Sequence, residues 1–246
     1  MTRFYPLRYL PTGHVFIDPA DDCSRVIDSL LAANYNEDFC LAREFDPLFV
    51  SRLMTAGFLV MSMELVDDEE TTPDSEHSEK DRFFVLLPKL HLLRSVLFFP
   101  ELRIKKSIRP FLSRYEMRFN ENFDKVFDNC IRAHGEEWLT PPLVKIIKEI
   151  RENDFPAKPV SFELYRDGEL KAGEIGIITG RVYTSYSGYY EEANAGTVQM
   201  ILMSRWLEKE GFDFLDFGMP LDYKTALGAR DVSPAHFIGL FRAAQG

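Results

Sequence analysis

Residues 160–229 constrain the fold more than any other stretch of this chain. Val160, Phe162 and Leu164 alternate with Ser161, Glu163 and Tyr165. That two-residue period predicts a half-buried strand over 160–166. Asp167-Gly168 supplies the positive φ angles of a tight hairpin turn. A second strand is expected over 170–179, a turn at Thr179-Gly180, and a third strand over 181–186. Asn194 is placed to cap a helix over 197–210, where Val198, Ile201, Leu202, Arg205 and Trp206 recur at helical spacing. Gly211 ends that helix. Residues 212–217 then form an apolar strand interrupted by Asp213 and Asp216. A carboxylate in such a strand is either at an edge, bonded to a turn or amide, or there for chemistry.

The rest of the chain has less regular patterning. Pro47 opens a helix over 47–56 that Gly57 closes, and another helix is expected over 21–34. Strands over 58–66 and 82–88 flank an acidic stretch, 66–81, which the pattern makes a disordered hairpin insertion: it holds eight carboxylates against Lys80 and almost nothing apolar. Helices follow over 121–134 and 141–152. Pro156 and Pro159 mark a boundary near residue 155. Ser233-Pro234 opens a last helix. The expected fold class is α+β: an N-terminal mixed α/β domain, 1–155, followed by a C-terminal domain, 156–246.

A length of 246 residues with 46% hydrophobic content allows a substantial core. No apolar run reaches the roughly 20 residues of a membrane span, and residues 1–6 lack a signal-peptide core. Cys23, Cys40 and Cys130 are odd in number and widely spaced, which predicts reduced thiols and a cytoplasmic protein. The five histidines show no metal-ligand spacing, so no metal and no cofactor are expected. The net charge of −10 argues against a general nucleic-acid coat. The charge is uneven, however: residues 89–118 carry eight Lys and Arg against Glu101 and Glu116. That stretch is an electrostatic footprint for phosphate, or a solvated basic face.

Four blocks, in order, resemble the leucyl/phenylalanyl-tRNA–protein transferase family. Leu90-His91-Leu92-Leu93-Arg94-Ser95 is similar to the family's Leu-His-x-Ser-Arg-Ser. Asn120-Glu121-Asn122-Phe123 with the later Cys130 is similar to its Asn-x-x-Phe and Cys. Glu137-Trp138-Leu139-Thr140-Pro141 is similar to Thr-Trp-Ile-Thr-Pro. The fourth block runs over 161–230 and includes Gly180-Arg181-Val182, Ser187, Asn194-Ala195, Leu215-Asp216 and Leu227-Gly228-Ala229-Arg230. The resemblance implies an acetyltransferase-like (GNAT-like) C-terminal domain. It also implies an aminoacyl group, Leu or Phe, moved from charged tRNA to the α-amine of an acceptor protein's N-terminus, marking that protein for N-end-rule degradation. No membrane partner is expected, and a monomer is favoured.

Asp216 aligns with the catalytic aspartate of the family's Ile-Asp-Cys-Gln, which makes it the expected catalytic residue. Two departures matter. Gly218 stands where the family has its glutamine, so no side chain is available there. Tyr186 stands where the family has the acid of Gly-Glu-Ser-Met-Phe-Ser-Arg, so the charge partner of a basic acceptor is missing. Tyr186 and Glu191 are the expected acceptor-binding residues, and acceptor preference is expected to shift unless Glu191 or Glu192 restores the charge. Ile175, Ile177, Tyr189, Met200 and Met203 are candidates for an apolar aminoacyl pocket. Arg94, Lys105, Lys106, Arg109 and Trp138 are candidates for binding tRNA, the last by stacking. His91 is read as structural.

Two other functions fit parts of the pattern. One is a non-catalytic tRNA-binding or degradation-adaptor protein that keeps the fold, favoured by Gly218 and Tyr186. The other is an acyl-CoA acetyltransferase. Glu191 and Glu192 at the strand-to-helix turn would repel its pyrophosphate, and Gly196 is the only glycine there.

Overall fold

The structure, a computed structural model, describes residues 5–65 and 82–246. The acidic stretch 66–81 lies outside those residues. A small hairpin, β1 (Arg8–Tyr9) and β2 (Val15–Phe16), precedes helices α1 (Cys23–Ala32) and α2 (Pro47–Ala56). The Asp22 side chain caps α1 by accepting from the Ser24 and Arg25 amides, and Asp46 caps α2 by accepting from Phe49. Strands β3 (Leu59–Leu65) and β4 (Phe83–Lys89) pair antiparallel from Leu59↔Lys89 to Leu65↔Phe83. The two strands expected on either side of 66–81 thus pair with each other.

The main sheet has seven strands in the order β11-β5-β10-β9-β8-β7-β6. They are β5 (Arg94–Leu97), β6 (Glu116–Phe119), β7 (Lys158–Arg166), β8 (Glu169–Thr179), β9 (Val182–Tyr190), β10 (Phe214–Asp216) and β11 (Arg230–Val232). β9 and β10 are parallel; every other pair is antiparallel. Strands from before residue 155, β5 and β6, therefore pair with strands from after it. The β7–β8 turn has the expected geometry, with Asp167 at φ 54° and Gly168 at φ 80°.

Helices α3 (Phe123–His134), α4 (Pro141–Glu152) and α7 (Pro234–Ala243) join α1 and α2 on one face of the sheet. They pack on Ile175, Ile177, Val182 and Phe214. Helix α5 (Ala195–Lys209) covers the other face, laying Val198, Ile201, Met203 and Leu207 on Phe162, Leu164, Tyr183 and Leu215. A short helix α6 (Asp222–Ala226) links β10 to β11. Among the described residues no helix is long and apolar enough to cross a membrane.

The structure corrects three local expectations. Asn194 precedes α5 but sits at φ 71° and makes no capping bond with its side chain. β9 continues past residue 186 to Tyr190. The strand expected over 212–217 shortens to β10, which lies between β5 and β9, so Asp216 is internal to the sheet and not at its edge.

Candidate functional site

β10 stops where Asp216 meets Thr184, while β9 runs on for six more residues. Beyond that point the edge of β9 lacks its parallel neighbour, and the sheet opens. A cleft of about 1160 Å³ occupies the opening. Its walls come from Ser185, Tyr186 and Tyr189 of β9, from Gly196, Thr197, Gln199 and Met200 of α5, and from Phe217, Gly218, Met219 and Leu221 after β10. Leu59 and Met61 of β3, Lys89 and His91, and Trp138 complete it from the N-terminal side.

Asp216 lies beneath this cleft, fully buried, and does not line it. Arg94 donates to both of its oxygens, from Nε at 2.8 Å and Nη2 at 2.6 Å. The Thr184 hydroxyl donates at 2.9 Å and the Gly218 amide at 2.9 Å. Burial pushes the Asp216 carboxyl up. The Arg94 charge and these hydrogen bonds outweigh burial and hold it below the usual carboxylate range. The sequence signalled Asp216 but not its partner, because 122 residues separate the two. Arg94 was expected on a tRNA-binding surface. It is 1% exposed, paired with Asp216, with its guanidinium 4.3 Å from the centre of the Phe237 ring. A side chain so enclosed is removed from the phosphate-facing surface.

Gly218 sits at φ 71° on the cleft wall. A Cβ built there would lie 3.0 Å from Leu59 Cδ1 and 3.9 Å from His91 Nε2. The position that lacks a side chain is therefore bordered by an imidazole. His91 takes a left-handed backbone, φ 58°, and its Nδ1 is 3.1 Å from Asp38 Oδ1. Burial lowers the His91 pKa, and Asp38 opposes that shift. Asp38 itself is held at about 2, mainly by its bond to His91.

Tyr186 and Glu191 both line the cleft, as does Trp138. The Tyr186 hydroxyl accepts from the Val60 amide at 3.0 Å, tying β9 to β3, and its ring lies 6.4 Å from the Trp138 ring. Of the aminoacyl-pocket candidates, Tyr189 and Met200 face the cleft. Ile175, Ile177 and Met203 do not. Successive strand residues point to opposite faces, so Ile175 and Ile177 pack on the face covered by α1, α2, α3, α4 and α7 while Glu174 and Gly176 face α5; Met203 is buried between α5 and the sheet. Apolar wall residues absent from the expectation include Leu59, Met61, Met219 and Leu221. Leu59 and Met61 fall outside the four resemblance blocks, and Met219 and Leu221 lie within the fourth but in none of its quoted motifs. Lys105, Lys106 and Arg109 are exposed, on the turn leading to β6 and away from the cleft lining.

Two charged groups on the cleft wall went unread in the sequence. Glu174 is 5% exposed, and burial pushes its carboxyl up to about 7, against hydrogen bonds from Ser185 and Tyr183. Lys224 of α6 donates to the Phe217 carbonyl at 2.6 Å and the Met219 carbonyl at 2.7 Å. Burial lowers its pKa to about 8, with the Asp216 and Glu174 charges opposing.

A family model described as leucyl/phenylalanyl-tRNA protein transferase matches residues 96–242. A protein of that name from Flavobacterium johnsoniae is 30% identical over 156 residues, covering 61% of this chain and 72% of its own. One from Pseudomonas entomophila is 31% identical over 149 residues, covering 58% and 65%. One from Maridesulfovibrio salexigens is 27% identical over 177 residues, covering 70% and 68%. Among solved structures, that of FemX aligns with 92% of this chain and 81% of its own at a TM-score of 0.45 and 9% identity. That of L-PGS from Bacillus licheniformis aligns with 97% and 88% at a TM-score of 0.43 and 11% identity.

Proposed function

The chain belongs to the leucyl/phenylalanyl-tRNA protein transferase family, and we propose that it moves an aminoacyl group, Leu or Phe, from the 3′ end of a charged tRNA to the α-amine at a protein's N-terminus. The product is a protein marked for N-end-rule turnover. One observation carries the reading: the family match, 96–242, covers β8, β9, α5 and α6, which supply most of the cleft wall. The sequence β7-β8-β9, α5, then β10 parallel to β9, with an opening beside β9, supports a GNAT-like arrangement for this half.

The reaction turns an ester into an amide. It needs alignment, a neutral amine, and a proton for the leaving 3′-oxygen. A free α-amine, with a pKa near 7.7–8.0, is already partly neutral at physiological pH. Asp216 acts here as a positioning residue. Its carboxylate fixes Arg94, Thr184 and the Gly218 amide under the cleft floor. Apolar contacts from Tyr189, Met200, Met219 and Leu221 receive the donor side chain. Tyr186 and Glu191 face the acceptor. Tyr186 puts an uncharged group where the charge partner of a basic acceptor is missing, so acceptor choice shifts away from N-terminal Arg and Lys unless Glu191, exposed on the same cleft wall, restores that charge. Lys105, Lys106 and Arg109 hold tRNA phosphates, and Trp138 stacks near the acceptor end.

Single-turnover transfer of radiolabelled Leu or Phe from charged tRNA to peptides beginning with Arg, Lys, Asp or Glu tests the reading. Labelled peptide product is expected. A protein that binds charged tRNA yet leaves the ester intact would overturn transfer and establish an adaptor.

A further inference from the structure

We propose that Glu174 is the proton acceptor of the transfer step, taking the proton of the attacking α-amine. The inference rests on the transfer reading above and deepens it. Three carboxylates reach the cleft wall among the described residues: Glu174, Glu191 and Glu192. Glu192 is engaged by the Tyr115 hydroxyl at 2.6 Å and by Arg166 at 2.5 Å. Glu191 is exposed to water. Asp216 lies below the wall with donors on both oxygens. Glu174 alone is both enclosed and on the wall.

The local fold is built to hold it there. Gly176, two residues on, carries no side chain, and a Cβ at that point would lie 2.4 Å from the Tyr183 ring. The glycine lets that ring lie against β8, so that its hydroxyl donates to Glu174 Oε1 at 3.2 Å. A register shift between Ile175 and Gly176 bends the strands at the same place. Charged and titratable groups face Glu174 from three elements. Tyr183 and Ser185 come from β9, Lys224 and Tyr223 from α6, and Cys130 from α3. Helix α5 brings Gln199, which does not titrate; its Nε2 is buried on the cleft wall without a hydrogen-bond partner.

The step balances. As the bond forms between the acceptor nitrogen and the ester carbon, the nitrogen passes one proton to the Glu174 carboxylate. As the bond from that carbon to the 3′-oxygen breaks, the carboxylic acid returns the proton to the oxygen. The carboxylate is restored, and amide and free 3′-hydroxyl leave. A carboxyl titrating at about 7 is suited to both halves, since it accepts and releases near the working pH.

The test is the ratio of single-turnover rates, wild type over Glu174→Gln, from pH 6 to 9. Titration of the acceptor amine itself cancels in that ratio. The ratio is expected to rise through a midpoint near 7 to a plateau of about 100-fold, within the range of general-base contributions. Tyr183→Phe removes a hydrogen bond that favours the ionised form, so it moves the midpoint to higher pH; if Glu174→Gln does not fold, the ratio of wild type over Tyr183→Phe carries the test, lying above 1 at pH 6 and falling to 1 as pH rises past both midpoints. A ratio independent of pH, or a midpoint that Tyr183→Phe leaves in place, overturns the assignment of Glu174 while transfer stands. A wild type inactive at every pH removes transfer and Glu174 together.

Discussion

Asp216 keeps its charge inside the sheet because Arg94, Thr184 and Gly218 all donate to it. A buried ion pair is weak evidence of net stabilisation, but removing one partner strands the other. Asp216→Ala leaves the Arg94 guanidinium enclosed and uncompensated. It is expected to lower unfolding free energy by about 3–5 kcal/mol, read by urea denaturation. Glu174 gives a prediction of the opposite pH sense. Its pKa rises from 4.5 unfolded to about 7 folded, so its contribution is complete below pH 4.5 and is lost as pH rises through 7. Glu174→Gln has no such loss. Relative to wild type, the variant should therefore gain stability on the order of 3 kcal/mol between pH 4.5 and 8. Equal pH dependence in the two proteins would place the Glu174 carboxyl in water. Asp216 was legible from its motif. Glu174 was not, because a lone glutamate in an alternating strand reads as a solvent-facing position until the helix covering that face is known.

At the scale of elements, the strands with enough residues to display a period were readable. β7 and β8 form where expected and share the expected turn, although β7 is buried on both faces and not half-buried, with Ser161 and Glu163 as enclosed as Phe162, and α2 runs from Pro47 to Ala56 and closes at Gly57 as expected. β5, β6, β10 and β11 have three or four residues each, too few for a period, so their union in one sheet emerges only from tertiary pairing. The cleft depends on that union, since it opens where β10 ends. Gly176 tests how closely β8 and β9 must approach. Its added methyl would meet the Tyr183 ring at 2.4 Å and the Thr184 carbonyl at 2.5 Å. One of these contacts is backbone and cannot swing away. Gly176→Ala should destabilise by about 1–3 kcal/mol through overpacking, and slow transfer by displacing Tyr183 from Glu174. A melting temperature and transfer rate equal to wild type would show that the strands yield freely there.

Across the whole molecule, charge has to be reconciled with a polyanionic substrate. The protein carries −10 overall, so long-range attraction to tRNA cannot come from net charge and must come from where the cations sit. Arg94 is excluded by burial. Lys105, Lys106 and Arg109 remain, exposed together on one turn before β6. Each phosphate contact releases counterions, so each cation removed should lower the slope of log affinity against log salt by about 1. Replacing all three by alanine should therefore reduce that slope by about 3 and weaken binding at 50 mM salt far more than at 200 mM. Because the side chains are exposed, folding stability should change by no more than about 0.5 kcal/mol per site. Filter binding of charged tRNA across a salt series measures the slope. An unchanged slope would assign the phosphate contacts to another face and leave the basic turn a solvated surface.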